Sequence, residues 1–205
     1  LGQCQEVVAQ LREAGGEALA IACHMGRWSD LEQFAEQAFA WKGRVDVLIN
    51  NAGMSPVTDS SVETSEELFD KVVAVNCKGP FRLSALLGTR MATGEGGSII
   101  NVSSVGSVRP RPAYAPYAAA KSGLNAITIA QAFEFAPKVR VNAILPGSFE
   151  TDIAKHWPEE KQNSIVSAIK RYGHPGEIVS TALYLASSAS SFTTGTLIRV
   201  DGGRP

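Results

Sequence analysis

The sequence predicts an α/β fold in which a doubly wound parallel sheet lies between two layers of helices. Short apolar runs alternate with longer stretches of helical periodicity along the 205 residues, the pattern of parallel strands joined by crossover helices. The run Val45 to Ile49 shows little apolar/polar alternation, as expected of a strand covered on both faces. Small and polar residues follow directly on several of these runs, as in Asn50-Asn51-Ala52-Gly53, Ser103-Ser104 and Pro146-Gly147. In an open α/β sheet, the carboxyl ends of strands are where ligands bind.

Taken in order, Gln3 to Ala14 has helical spacing (Val7, Val8, Leu11) and stops at Gly15-Gly16, a C-terminal helix signal. Ala18 to Ala22 is a short apolar run and predicts a strand. Asp30 is placed to cap a helix through Trp41, with Leu31, Phe34, Ala35 and Ala38 as its apolar stripe. After the Val45–Ile49 strand, a helix is expected over about 65–91, bent near Gly79-Pro80. A strand over Ser98 to Val102 leads into a helix over Tyr114 to Phe135. A strand at Val139 to Ile144, a helix at about 176–186 and a last strand at Leu197 to Val200 complete the chain. With no internal repeat or linker in the sequence, residues 1–205 are expected to form a single domain.

Composition narrows the function classes. The 19 basic and 20 acidic residues leave a net charge of −1, which gives no electrostatic footprint for nucleic acid or an anionic membrane. No apolar run approaches the ~18–20 residues of a membrane span. Cys4, Cys23 and Cys77 have no metal-like spacing and read as reduced thiols of a cytoplasmic enzyme. His156 and His174 have no partner at ligand spacing, so no metal site is expected.

The chemistry centres on Tyr117-Ala118-Ala119-Ala120-Lys121. Positions i and i+4 share a helix face, so Lys121 is expected beneath the Tyr117 ring, lowering a phenol pKa that is ordinarily near ~10. Ser104 ends a strand thirteen residues before the tyrosine. Successive strand side chains point to opposite faces, so one of Ser103 and Ser104 reaches Tyr117 and the other does not. Tyr114 is a poorer partner for Lys121, since seven helical residues span about 10 Å at 1.5 Å each.

Together with Asn50-Asn51-Ala52-Gly53, Val75-Asn76, Asn101-Val102-Ser103-Ser104, Pro146-Gly147 with Thr151, Thr194-Gly195 and Val200-Asp201-Gly202-Gly203, this order of motifs resembles the short-chain dehydrogenase/reductase family over essentially the whole chain. The resemblance implies a Rossmann-like sheet and an NAD(P)-dependent oxidoreductase that interconverts a secondary alcohol and a carbonyl. It implies Tyr117 as general acid/base, Lys121 as the group that tunes it and binds the cofactor ribose, and Ser104 as the holder of the substrate oxygen. Asn76 would be the fourth catalytic residue, anchoring a proton path through its backbone carbonyl. Asn50, Ala52 and Gly53 would line the adenosine ribose, with Gly53 free to take a positive φ. Pro146, Gly147, Phe149 and Thr151 would hold the nicotinamide, and 152–172 would form a lid over a small alcohol or carbonyl substrate. His24-Met25 stands where the family often has an acidic residue followed by an apolar one against the adenine. The family also implies a homo-oligomer, tetramer or dimer. The helix faces of Val72, Val75, Phe81, Leu83, Leu86, Ala126, Ile129, Ala132 and Phe133 are compatible with this.

One family feature is not found in the sequence: no glycine-rich turn of the TGxxxGxG type precedes a helix. That turn cradles the pyrophosphate at a helix N-terminus, and the following strand carries the residue that chooses NAD or NADP. The expectation is therefore a catalytic domain that lacks its first βαβ unit. The family strand order 3-2-1-4-5-6-7 would then leave Ala18–Ala22 without a neighbour and Val45–Ile49 at an edge. Two other readings follow: a non-catalytic remnant acting as an interaction module, or an extended relative such as a nucleotide-sugar epimerase or dehydratase. The prompt Val200-Asp201-Gly202-Gly203 ending speaks against the larger substrate domain of the last.

Overall fold

The computed structural model describes residues 2–151 and 167–204. Four parallel strands, β1 (Val47–Asn50), β2 (Gly97–Val102), β3 (Val139–Pro146) and β4 (Leu197–Val200), form a sheet in the order β1-β2-β3-β4. Asn50 lies opposite Asn101, Asn101 opposite Ala143, and Ala143 opposite Leu197. The carboxyl ends of β1, β2 and β3 therefore open along one edge.

Alternation along the central strands sends successive residues to opposite layers. On one face, Ile99 and Val141 pack with Leu31 and Ala35 of α2 (Trp28–Lys42), Leu83, Leu87 and Met91 of α4 (Gly79–Thr93), and Ala132 of α5 (Ala115–Glu134). On the other, Ile100, Ile144 and Ile198 pack with Ala182 and Leu185 of α6 (Val179–Ala186). The expected three layers are present, and the parallel connections run through helices.

The long helix expected over 65–91 is subdivided. Ser65 caps α3 (Glu66–Val73) by accepting from the Leu68 N–H at 3.2 Å. A π-helical turn, Ala74–Lys78, then leads directly into α4. There the Gly79 N–H reaches back five residues to the Ala74 carbonyl, and Pro80 contributes no N–H to the first turn of α4. The irregularity in this helix is thus the π turn, which ends just before the Gly79-Pro80 step where the bend is expected.

Three expectations at the front of the chain are corrected. Ala18–Ala22 pairs with no strand among the described residues; an apolar run becomes a strand only where a neighbour takes its backbone hydrogen bonds. Asp30 is not the cap of α2 but sits in its first turn, where its carboxylate accepts from the His24 N–H at 3.3 Å. β1 is covered on one face only: Leu48 is buried, whereas Val47 and Ile49 are 37% and 47% exposed. β1 forms the edge of the described sheet, and no helix among the described residues covers its second face. The helix at the start, α1 (Gly2–Glu13), buries none of its residues.

Candidate active site

The serines after β2 divide as the strand geometry requires. Ser103 is buried, and its hydroxyl donates to the Lys121 carbonyl at 3.3 Å. Ser104 is extended (φ −166°, ψ 152°), and its Oγ accepts from the Gly106 N–H at 3.0 Å. That leaves its own proton to give away, and a hydrogen bond joins Ser104 to the Tyr117 phenol.

Tyr117 and Lys121 sit in the first half of α5, which starts with Pro116 in its opening turn. Ala118 and Ala120 are nearly fully buried; their small side chains bring this helix close to the sheet. Lys121 is 3% exposed, donates from Nζ to the Val102 carbonyl at 2.7 Å, and lies 5.9 Å from the centre of the Tyr117 ring. Tyr114 meets the Tyr117 ring edge-on, with centroids 6.2 Å apart. Burial pulls the Lys121 ammonium down to about 8. It also pushes the Tyr117 phenol above its ordinary value, against the opposing pull of the Ser104 hydrogen bond. The expected lowering of the phenol by Lys121 is therefore corrected: desolvation raises it, Tyr114 adds to the rise, and the opposing pull comes from Ser104 rather than from Lys121.

Asn76 occupies the middle of the π turn and is fully buried. Its Nδ2 donates to the carbonyls of Met54 and Val72, both at 2.9 Å, and its Oδ1 accepts from the Met54 N–H at 3.2 Å. This clamps the loop after β1 onto the helical layer. Gly53 is needed there for close approach: a Cβ would stand 2.8 Å from Asn76 Oδ1 and 3.5 Å from Lys121 Nζ. It does not use the positive φ open to it. π turns of this kind recur at functional sites.

A cavity of about 680 Å³ opens above the carboxyl ends of the strands. Of the residues singled out from sequence, Ala52, Gly53, Asn76, Ser104, Tyr117, Lys121, Pro146, Gly147, Phe149 and Thr151 line it. Three do not. Asn50 is buried beneath it, donating from Nδ2 to Ser84 Oγ and Asn101 Oδ1, both at 2.8 Å. His24 and Met25 belong to a loop held against the π turn, where Gly26 abuts Ala74. Gly147 is crowded by the chain after β4: a Cβ there would meet Asp201 Cα at 2.7 Å.

The first part of the expected lid, 152–166, lies outside the described residues, and His156 with it. His174 pairs with Glu150 at 2.7 Å. No cluster that could hold a metal occurs among the described residues, and none of their helices is long and apolar enough to cross a membrane. Sequence reasoning missed Arg111, Arg171 and Arg204, which also line the cavity. Proline on both sides of Arg111 was the one local hint of a rigid mount.

A phenol, a serine and a lysine converge at the carboxyl edge of a parallel sheet, beside a glycine-bearing loop shaped for close approach. This is the arrangement of an oxidoreductase on a Rossmann-like fold. Residues 2–204 match the profile of the enoyl-(acyl carrier protein) reductase family. The chain is 32% identical to human dehydrogenase/reductase SDR family member 4, over 98% of this chain and 74% of that protein. It is 38% identical to the 3-oxoacyl-(acyl carrier protein) reductase FabG of Thermotoga maritima, over 84% of this chain and 71% of the relative. Among solved structures, a short-chain alcohol dehydrogenase from Sinorhizobium meliloti superposes with a TM-score of 0.91 at 34% identity, covering 97% of this chain and 80% of that one. A gluconate dehydrogenase from Agrobacterium tumefaciens gives 0.89 at 32% identity, with the same coverage. The chain belongs to the short-chain dehydrogenase/reductase family of oxidoreductases.

Members of this family typically use NAD or NADP. The nicotinamide half of such a cofactor fits the residues present: Gly53 and Gly147 line the cavity with backbone alone, and Phe149 and Thr151 add an aromatic ring and a hydroxyl to the lining.

Proposed function

We propose that the protein is an NAD(P)-dependent oxidoreductase that interconverts a secondary alcohol and its carbonyl, with Tyr117 as the proton carrier. The observation that carries this reading is the Tyr117 phenol hydrogen-bonded to Ser104 inside the cavity, with Lys121 behind its ring. The nicotinamide, held by the backbone around Gly147 and Phe149 and by the Thr151 hydroxyl, supplies hydride chemistry when bound. Ser104 orients the substrate oxygen by turning to it the O–H that otherwise donates to the Tyr117 phenol. Tyr117 gives its proton to that oxygen as the carbonyl is reduced and takes it back when the alcohol is oxidised. The upward pull of burial on the phenol keeps it protonated at neutral pH, so the protein is poised as the acid of carbonyl reduction. Lys121 is half neutral near pH 8 and can restore the phenol proton. The Asn76 side chain is fully engaged with Met54 and Val72, which leaves its backbone carbonyl for a proton path.

Phe81, Ile129 and Phe133 are exposed on α4 and α5, which supports a homo-oligomer joined helix to helix. Cys4, Cys23 and Cys77 are free thiols, which supports a cytoplasmic enzyme.

Replacing Tyr117 with Phe removes the proton and keeps the ring. Carbonyl reduction is expected to fall by about 10³-fold, within the range for losing a general acid/base, while dinucleotide affinity is retained. Turnover within a few-fold of the parent protein would refute the assignment. Failure of the parent protein to bind NAD or NADP would favour the non-catalytic interaction module.

A further inference from the structure

The polar side chains around the cavity do not balance. Asp201 is the acidic residue among the described lining, and its carboxylate is occupied: Oδ2 accepts from Arg199 Nε at 3.0 Å and Nη2 at 2.6 Å, and Oδ1 accepts from the Gly203 N–H at 3.0 Å. Arg171 is likewise occupied, in a two-pronged pair with Glu177 at 2.7 and 2.6 Å. Lys121 is held by the Val102 carbonyl. Arg111 and Arg204 line the same cavity with no ion pair or side-chain hydrogen bond among the described residues. Arg204 is half-buried, and a guanidinium removed from water without a counter-charge is costly unless an anion arrives.

Both arginines are mounted on constrained backbone. Arg111 is extended (φ −130°, ψ 151°) and stands between Pro110 and Pro112, so its φ/ψ freedom is small. Arg204 follows Gly202 and Gly203, both left-handed at φ 67° and 74°, a turn that other residues adopt only with strain. Arg199 ties that turn down by donating to the Arg204 carbonyl at 2.5 Å as well as to Asp201. Such mounting suits a planar fork that recognises an anion in a fixed geometry.

We propose that the substrate carries an anionic group, carboxylate or phosphate, apart from the reacting carbon, and that Arg111 and Arg204 recognise it. This deepens the oxidoreductase reading and rests on it for the reaction, though not for the binding. The experiment compares 3-hydroxybutyrate with its uncharged amide and glycerol 3-phosphate with glycerol, using the protein with dinucleotide present. Both turnover and calorimetric affinity are measured. The parent protein is expected to prefer the charged member of at least one pair by tenfold or more. Arg111→Gln with Arg204→Gln should reduce that preference to about twofold, and Arg→Lys at both positions should restore part of it. The pair that shows the preference separates carboxylate from phosphate.

Equal affinity of the parent protein for the charged and uncharged members of both pairs would overturn the proposal. So would a preference that survives in the double Gln variant. A matching loss of dinucleotide affinity would also overturn it, because the arginines would then hold the cofactor's own phosphates. If no alcohol is oxidised at all, the oxidoreductase reading fails, and the calorimetric preference still decides this one.

Discussion

The front of the chain and the carboxyl edge of the sheet contrast in how their polar and apolar groups are used. At the sheet edge, Asn50, Asn76, Asn101, Ser103 and Lys121 are all buried, and each makes hydrogen bonds. The apolar residues around them, Val105, Ala143 and Leu145, are almost inaccessible. At the front, α1 buries nothing, Val7 and Leu11 are half exposed, and 18–22 is unpaired. Apolar residues form a core in one region and stay largely exposed in the other. Burial is a property of the neighbours a segment has, and α2 shows the boundary. Its Leu31 and Ala35 enter the core, and ion pairs from Glu32 and Glu36 to Arg82 and Arg90 fasten its outer face to α4.

Substitutions can break this contrast or sharpen it. Asn76→Ala should have the largest effect on stability, about 4 kcal/mol, because it removes a partner from the part-buried Met54 N–H and carbonyl and from the buried Val72 carbonyl, groups that cost ~1–3 kcal/mol each when left unpaired. Chemical denaturation would measure it, and a loss under 1 kcal/mol would mean that the loop after β1 is held by something else. Leu31→Ala should cost about 3 kcal/mol, within the range for a fully buried leucine. A small loss there would move the boundary of the core past α2 towards α4.

The pH dependence of stability probes the buried lysine. Between about pH 8 and 10.5 the unfolded chain still holds the Lys121 proton that the folded protein has released, so stability rises with pH. The gain expected between pH 8 and 10 is roughly 2–3 kcal/mol. Tyr117, raised in the fold, opposes it only above pH ~10, where the unfolded phenol ionises first. Denaturation series at several pH values should show the slope in the parent protein and lose it in Lys121→Met; a slope that persists belongs to another group. Leu11→Ser on α1 should be the smallest change, within ~0.5 kcal/mol. A larger loss would show that α1 is packed in solution.

Much of the sheet and the catalytic centre could be read from the chain. β4 falls at Leu197–Val200 as expected, and β2 begins one residue earlier than expected. Tyr117, Lys121 and Ser104 meet because helix period and strand alternation are local rules that spacing encodes. Their meeting point at the strand ends follows from the order of elements. The partnership of Asn50 with Ser84 and Asn101, by contrast, joins residues 34 and 51 positions apart, and no local pattern reports such a pairing.

Sequence alone determined the α/β order, the family and the three residues that handle the proton, since each depends on short-range geometry or on motifs in a set sequence. Tertiary structure decided that 18–22 pairs with no strand among the described residues, that burial raises the Tyr117 phenol, and that two arginines without an ion pair among the described residues face the same cavity. Those outcomes depend on desolvation and on which distant groups become neighbours, and both exist only once the chain has closed on itself.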